Sequence, residues 1–256
     1  MFLYATDYDG TLNCRGITPE LKEAITDWRT AGNLFGVVSG RPYPSIRGQM
    51  DHDGIGVDFL VANNGAIIAD GKDGILEATP FSTDTAEALI RRLIREQEEL
   101  PDKKHHYFRM DAVRFYRDWY EFPDVIRVDG LLSAEGTVWP EVTEITVDYP
   151  DYETTKAAAD AAEKEFGGTV CPLLPGYTSI DYIPGGVSKA AGVKRVTELL
   201  GLKAEKILAT GDSLNDLTLL TDSAIEGYAV ENAMPAVKEA VGRTVPDPTE
   251  LIRRYL

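Results

Sequence analysis

Five short apolar runs along the chain each end in a polar or glycine-bearing turn. Phe2–Ala5 leads into Thr6-Asp7, Leu34–Val38 into Ser39-Gly40-Arg41, Phe59–Ala62 into Asn63-Asn64-Gly65, Ile207–Ala209 into Gly211-Asp212, and Ile225–Val230 into Glu231-Asn232. Unbroken apolar runs of this length suit strands buried on both faces, as in a parallel sheet. Helical signals follow several of them. The clearest is Thr18 as N-cap, Pro19 at the first helical position, and Gly32 closing the amphipathic stretch beyond Trp28. Strand then helix, repeated, predicts a doubly wound, Rossmann-like α/β sheet. Ligands collect at the carboxyl ends of such strands, which here carry Asp7, Ser39, Asn64 and Asp212.

Between Ser82 and Pro184 the texture changes. A helical pattern over Asp84–Leu100 is followed by strand-like stretches His106–Met110, Val113–Phe122 and Glu144–Asp148, a helix Glu153–Phe166, and strands Thr169–Leu173 and Thr178–Ile183. The first texture then resumes with helix Ser188–Leu200 and strand Lys206–Ala209. The expectation is a discontinuous core, 1–81 and 185–256, with an α+β cap domain inserted at 82–184.

The 256 residues carry a formal charge of -16, with 42 acidic against 26 basic side chains. That field repels nucleic acid and acidic membrane surfaces, and no dense basic run reverses it locally, so neither is an expected partner. It also disfavours anionic ligands unless cations are concentrated where they bind. Cys14 and Cys171 form no CxxC pair, and the start of the chain reaches Asp7 too soon for a signal peptide's apolar core, so the expectation is a reduced, cytoplasmic protein. No apolar run approaches the ~18 residues of a transmembrane helix. Composition leaves monomer and homodimer open.

Asp7-Tyr8-Asp9-Gly10-Thr11 sets two carboxylates two positions apart after an apolar strand, with a glycine that permits a tight turn. One carboxylate can attack phosphorus while the other hands a proton to a leaving alkoxide and later takes one from water. An Asp-x-Asp pair alone is more often a solvated turn or a fragment of a Ca²⁺ loop.

In this sequence, however, the pair begins an ordered set of motifs that resembles the haloacid dehalogenase superfamily. Asp7-Tyr8-Asp9-Gly10-Thr11 is similar to its first motif, Ser39-Gly40-Arg41 to the second, Lys189 to the third-motif lysine, and Gly211-Asp212-Ser213-Leu214-Asn215-Asp216 to the fourth. Asn64-Gly65-Ala66, Ile183-Pro184-Gly185-Gly186-Val187-Ser188-Lys189 and Asn232-Ala233 further resemble the Cof-type branch, which carries an α/β cap between the second and third motifs. The resemblance implies a phosphomonoester hydrolase that forms an aspartyl phosphate, with a small sugar or polyol phosphate as substrate. It implies Asp7 as nucleophile, Asp9 as acid and base, and Lys189 as the cation that stabilises the transferred group. Mg²⁺ is expected on Asp7, the Asp9 backbone carbonyl and Asp212, with Asp216 beside it or orienting Lys189. Phosphate or substrate binding falls to Gly10, Thr11, Ser39, Gly40, Arg41, Asn64 and Asn215. Lys189 is expected in the first turn of its helix, after Ser188 as N-cap, where the helix dipole adds to its charge.

Relatives with the same first motif include phosphomutases, phosphotransferases and phosphoglycolate-type phosphatases, and a dehalogenase or a non-catalytic phosphate-binding module complete the alternatives. Other conspicuous residues read as structural. His105 and His106 alternate faces of a strand and do not share a metal. The cluster Phe115, Tyr116, Trp119, Tyr120, Phe122 reads as cap packing, and Cys14 as a small packing residue. Arg109, Arg114, Tyr177 and Asp181 are the cap candidates for reading the alcohol.

Overall fold

The structure is a computed structural model that describes residues 1–72, 74–99, 107–112, 115–118 and 141–256. His105, His106, Arg114, Trp119, Tyr120 and Phe122, and the side chains of Arg109, Phe115 and Tyr116, lie outside the described residues. The chain divides into two compact units, Met1–Glu77 with Ser188–Leu256, and Ala78–Val187.

In chain order the first unit contributes β1 (Phe2–Thr6), α1 (Pro19–Thr30), β2 (Leu34–Val38), α2 (Tyr43–Asp53), β3 (Phe59–Ala62), β4 (Ile67–Asp70) and β5 (Ile75–Ala78). The second contributes α3 (Thr83–Glu99), β6 (Tyr107–Ala112), β7 (Phe115–Asp118), β8 (Val142–Asp148), α4 (Tyr152–Phe166), β9 (Val170–Leu173) and β10 (Ser179–Pro184). The first unit resumes with α5 (Lys189–Leu199), β11 (Lys206–Gly211), α6 (Leu217–Leu220), β12 (Glu226–Val230), α7 (Pro235–Val241), β13 (Thr244–Val245) and α8 (Pro248–Tyr255).

Among the described residues the first unit's strands run in the order β13-β12-β11-β1-β2-β3-β4-β5. Pairings from β13 to β3 are parallel, and β4 turns back antiparallel to β3. Every residue of β3, and every residue of β1 and β2 after the first, is buried. Because successive side chains point to opposite faces, this burial requires helices on both sides, which is why the runs read as unbroken apolar stretches. Trp28 of α1 is fully buried, donates its indole N–H to the Leu34 carbonyl at 2.9 Å, and meets Tyr4 edge to face. The Thr18 hydroxyl caps α1 by accepting from Leu21 N–H at 3.2 Å.

The strand order reverses at β1: the chain proceeds outward through β2 and β3, then returns to lay β11 on the other side of β1. The crevice at such a switch point is where open α/β sheets bind ligands. Register fixes what stands there. Thr6 pairs with Thr210, so the chain leaves both strands side by side at Asp7 and Asp212.

The second unit has the described strand order β7-β6-β8-β10-β9 with antiparallel pairings. One sheet face, with Ile145, Val147, Ile180 and Tyr182, forms a core with Leu89, Ile90 and Leu93 of α3 and Ala158 and Ala162 of α4. Asp181 alternates to the opposite face, 5% exposed, and its carboxylate accepts from the Thr146 hydroxyl at 2.9 Å. Tyr177 is exposed and meets Tyr152 edge to face. Strands β4, β5 and β13 had no counterpart among the apolar runs; β5 is half exposed and β13 is two residues long, too little for a pattern to register.

Candidate active site

Asp7 occupies the first position after β1, and its backbone is locked before its side chain is considered. Its N–H donates to the Thr210 carbonyl at 2.9 Å, and its carbonyl accepts from Leu12 N–H at 3.1 Å and from the Thr6 hydroxyl at 2.9 Å. The Thr6 hydroxyl accepts from Thr210 at 2.8 Å, and Thr210 in turn lies 2.7 Å from the Tyr4 hydroxyl. Since Thr210 spends its proton on Thr6, Tyr4 must be the donor at the head of the chain. The result is a one-directional run of buried hydroxyls, Tyr4 to Thr210 to Thr6, ending on the Asp7 carbonyl. Burial raises the Tyr4 phenol, so it keeps that proton.

The Asp7 carboxylate faces Lys189, whose Nζ lies 2.8 Å from Oδ1. Lys189 opens α5 immediately after Ser188, whose hydroxyl caps the helix by accepting from Ala191 N–H at 3.1 Å. Gly65 makes this approach possible: a Cβ there would stand 2.2 Å from the Ser188 carbonyl oxygen, and its φ of +113° is closed to other residues. The same ammonium reaches Asp216 at 2.5 Å. The second oxygen of Asp216 accepts the N–H groups of Asp212 and Ser213, each at 2.9 Å, which folds the loop after β11 around it. Asp212 is held by the Thr11 hydroxyl at 2.6 Å and by Ser213 at 3.1 Å.

Burial opposes the Lys189 charge, but Asp216 and Asp7 outweigh it and hold the ammonium protonated. Burial raises the Asp7 carboxyl well above its usual range, with Lys189 opposing and the charges of Asp216 and Asp212 adding to the rise. Asp212 is raised for the same first reason. Three carboxylates therefore share one ammonium, and oxygens of Asp7, Asp212 and Asp216 all lie within 4.8 Å of one another. An all-oxygen set short of positive charge fits a hard divalent cation. The Asp9 carboxylate is not in this set, which leaves its backbone carbonyl for the metal role expected of it.

Gly10 joins the two halves of the site. Its φ is +78°, and a Cβ would stand 2.5 Å from an Asp212 oxygen. Its carbonyl accepts from Asn232 at 2.7 Å. Asn215 donates to the side-chain oxygen of Asn64 at 3.1 Å, and both are buried. Asn64 also abuts Gly40, where a Cβ would meet its amide at 3.1 Å. Ser39 is 1% exposed and its hydroxyl accepts from Arg41 N–H at 3.0 Å. Arg41 turns to Asp9 and grips it with two hydrogen bonds, 2.6 and 2.7 Å. The expected residues thus fall into three groups: Asp7, Lys189, Asp212, Asp216, Gly10 and Thr11; Gly40, Asn64 and Asn215; and Asp9 with Arg41 and Ser39. Tyr4, Thr6 and Thr210 were absent from the expected set, because their roles exist only once β1 and β11 are in register; Asn232 was noted only as part of a motif, and its bond to Gly10 appears only in the fold.

A profile of the haloacid dehalogenase-like hydrolases matches residues 4–250. The chain is 27% identical over 240 residues to the 5-amino-6-(5-phospho-D-ribitylamino)uracil phosphatase YcsE of Bacillus subtilis (strain 168), covering 93% of this chain and 86% of that protein. Its fold matches that of a haloacid dehalogenase-like hydrolase from B. subtilis with a TM-score of 0.82 at 18% identity, over 100% of both chains. It also matches the subclass IIB sugar phosphatase BT4131 with a TM-score of 0.74 at 17% identity, over 100% of this chain and 99% of that one. With its motifs in order along the sheet ends and the profile spanning nearly its whole length, the chain belongs to the haloacid dehalogenase-like hydrolases.

Proposed function

We propose that the chain is a phosphatase that hydrolyses a small sugar or polyol phosphate through an aspartyl-phosphate intermediate on Asp7. The observation that carries this reading is the buried contact of Lys189 with Asp7 at the switch point of the sheet, with Asp212 and Asp216 alongside. A phosphoryl group in transit spreads negative charge over three oxygens, so its catalysis is chiefly positioning and neutralisation. Lys189 supplies one positive charge at a fixed place. Asp7, Asp212 and Asp216 would hold Mg²⁺, which supplies charge neutralisation of the phosphate when bound.

A carboxylate oxygen of Asp7 forms a bond to phosphorus as the bond to the leaving oxygen breaks. The departing electron pair takes a proton from Asp9. Asp9 then accepts a proton from water as that water attacks phosphorus, the Asp7–phosphorus bond breaks, and phosphate leaves with the carboxylate restored. The ammonium of Lys189 stays protonated throughout and anchors both the Asp7 carboxylate and the transferred group. Selectivity for the alcohol is assigned to the inserted unit 78–187. The name of the B. subtilis relative, a phosphatase acting on a ribityl phosphate, supports a polyol phosphate, and the sugar phosphatase of like fold supports the same class.

The test is release of inorganic phosphate from a panel of sugar, polyol and nucleotide phosphates, with Mg²⁺ and with chelator, and no added acceptor. Release from sugar or polyol phosphates that requires the cation supports the reading. Transfer only when a sugar acceptor is present would assign the chain to the phosphotransferases instead.

A further inference from the structure

Arg41 was expected to bind phosphate, yet its guanidinium is engaged elsewhere. Nε donates to Asp9 Oδ2 at 2.7 Å and Nη2 to Asp9 Oδ1 at 2.6 Å, a parallel two-point pair. The guanidinium is itself fixed on several sides. It lies over the Tyr8 ring, 5.0 Å from the centroid, and Nη1 donates to Gln49 at 3.4 Å. Its backbone N–H is held by Ser39, and its carbonyl accepts from Asn63 N–H at 3.0 Å. The ring beneath it is pinned in turn. The Tyr8 hydroxyl donates to Asp53 at 2.5 Å and accepts from Asn13 at 2.9 Å, while Gln49 donates to the other Asp53 oxygen at 3.1 Å.

Asp9, by contrast, has a side chain 54% exposed on a tight turn. An exposed carboxylate there would sample several rotamers, and acid–base catalysis requires it in reach of one oxygen. The two-point pair fixes the carboxylate plane and leaves each oxygen one lone pair for proton exchange. We infer that Arg41, braced by Tyr8, Gln49 and Asp53, is a positioning residue for Asp9 and is not a phosphate ligand. The inference rests on the hydrolase reading above, in which Asp9 is the proton donor and acceptor.

The experiment compares an aryl phosphate with an activated leaving group, such as 4-nitrophenyl phosphate, with an alkyl or sugar phosphate. An activated phenolate leaves without a proton and an alkoxide needs one. Asp9→Asn therefore loses far more kcat on the alkyl ester. Arg41→Ala is expected to reproduce that bias, losing on the order of ten- to hundredfold in kcat on the alkyl ester at little change in KM, less than the full 10²–10⁴-fold worth of a general acid because Asp9 itself remains. Its cost on the alkyl ester is expected to vanish in an Asp9→Asn background. Arg41→Lys recovers only part, because an ammonium cannot hold two oxygens in one plane. Gln49→Ala and Asp53→Asn, remote from the reacting atoms, are expected to show a weaker form of the same bias and keep the inference testable if Arg41→Ala does not fold.

A loss equal on both esters, a loss carried by KM, a gain in rate, or a cost that persists beside Asp9→Asn would overturn the inference and return Arg41 to phosphate binding or to a restraining role. A wild-type enzyme that hydrolyses neither ester would instead overturn the hydrolase reading, and this inference with it.

Discussion

Lys189 and Asp216 form an ion pair closed off from solvent, Nζ to Oδ1 2.5 Å, with side chains 1% and 0% exposed. The ammonium bridges Asp216 to Asp7, so a helix start, a loop after β11 and the end of β1 meet at one cation. Removing that cation leaves two buried carboxylates facing each other. Lys189→Met is expected to lower unfolding free energy by about 3–5 kcal/mol, measured by urea titration, and kcat by on the order of 10²–10³-fold. Lys189→Arg is not expected to restore activity, since a planar fork does not fit a site built around a point charge.

The excess of carboxylate over ammonium at Asp7, Asp212 and Asp216 predicts cation-dependent stability. Mg²⁺ is expected to raise the melting temperature of the wild type, by an increment equivalent to about 2.7 kcal/mol at a hundredfold excess over its dissociation constant. Asp212→Asn is expected to abolish the increment as seen by thermal melting with and without chelator. An unchanged shift in that variant would remove Asp212 from the metal set.

Gly10 offers a test of close approach without replacing a charged group. Gly10→Ala places a methyl 2.5 Å from an Asp212 oxygen in a left-handed backbone. The backbone term alone costs about 1–2 kcal/mol. The larger expected effect is displacement of Asp212, read as weakened Mg²⁺ binding in a calorimetric titration and a matching loss of phosphatase rate.

Glu226 governs an acid limb far from the site. Lys206 and the hydroxyls of Tyr228 and Tyr255 lower its carboxyl from 4.5 to about 2 and tie α8 to β12. A carboxyl depressed in the folded state contributes stability above its unfolded value and loses it as pH falls. The contribution is therefore expected in full above about 4.5 and lost progressively down to about 2. Glu226→Gln should flatten that part of the stability–pH curve and modestly lower stability at neutral pH, modestly because the side chain is part exposed.

Asp7 and Asp212 were legible as candidates because each stands two or three residues beyond an apolar run, and the sheet places such residues at one end. Lys189 was legible only through its resemblance to the third-motif lysine, while Ser188 as N-cap marked where its helix starts. Arg41 shows the limit of that reading. Its motif position suggested phosphate, and its two hydrogen bonds to Asp9 and its place over the Tyr8 ring appear only in the fold. The hydroxyl run from Tyr4 to Thr6 was hidden for a similar reason: threonines at strand ends are common, and their link depends on the Thr6–Thr210 register between residues 204 positions apart. In the inserted unit, Asp181 faces away from the core as strand alternation requires, but its bearing on the alcohol is not a matter of pattern.

The proposed hydrolysis requires Asp7 as the nucleophile. The most direct measurement is rapid acid quench during steady-state turnover of the best phosphoester, followed by mass mapping of the peptides. An acid-stable, base-labile phosphoryl group is expected on the peptide that contains Asp7, absent in Asp7→Asn along with turnover. Wild-type turnover in Asp7→Asn, or a phosphoryl group on any other residue, would contradict it.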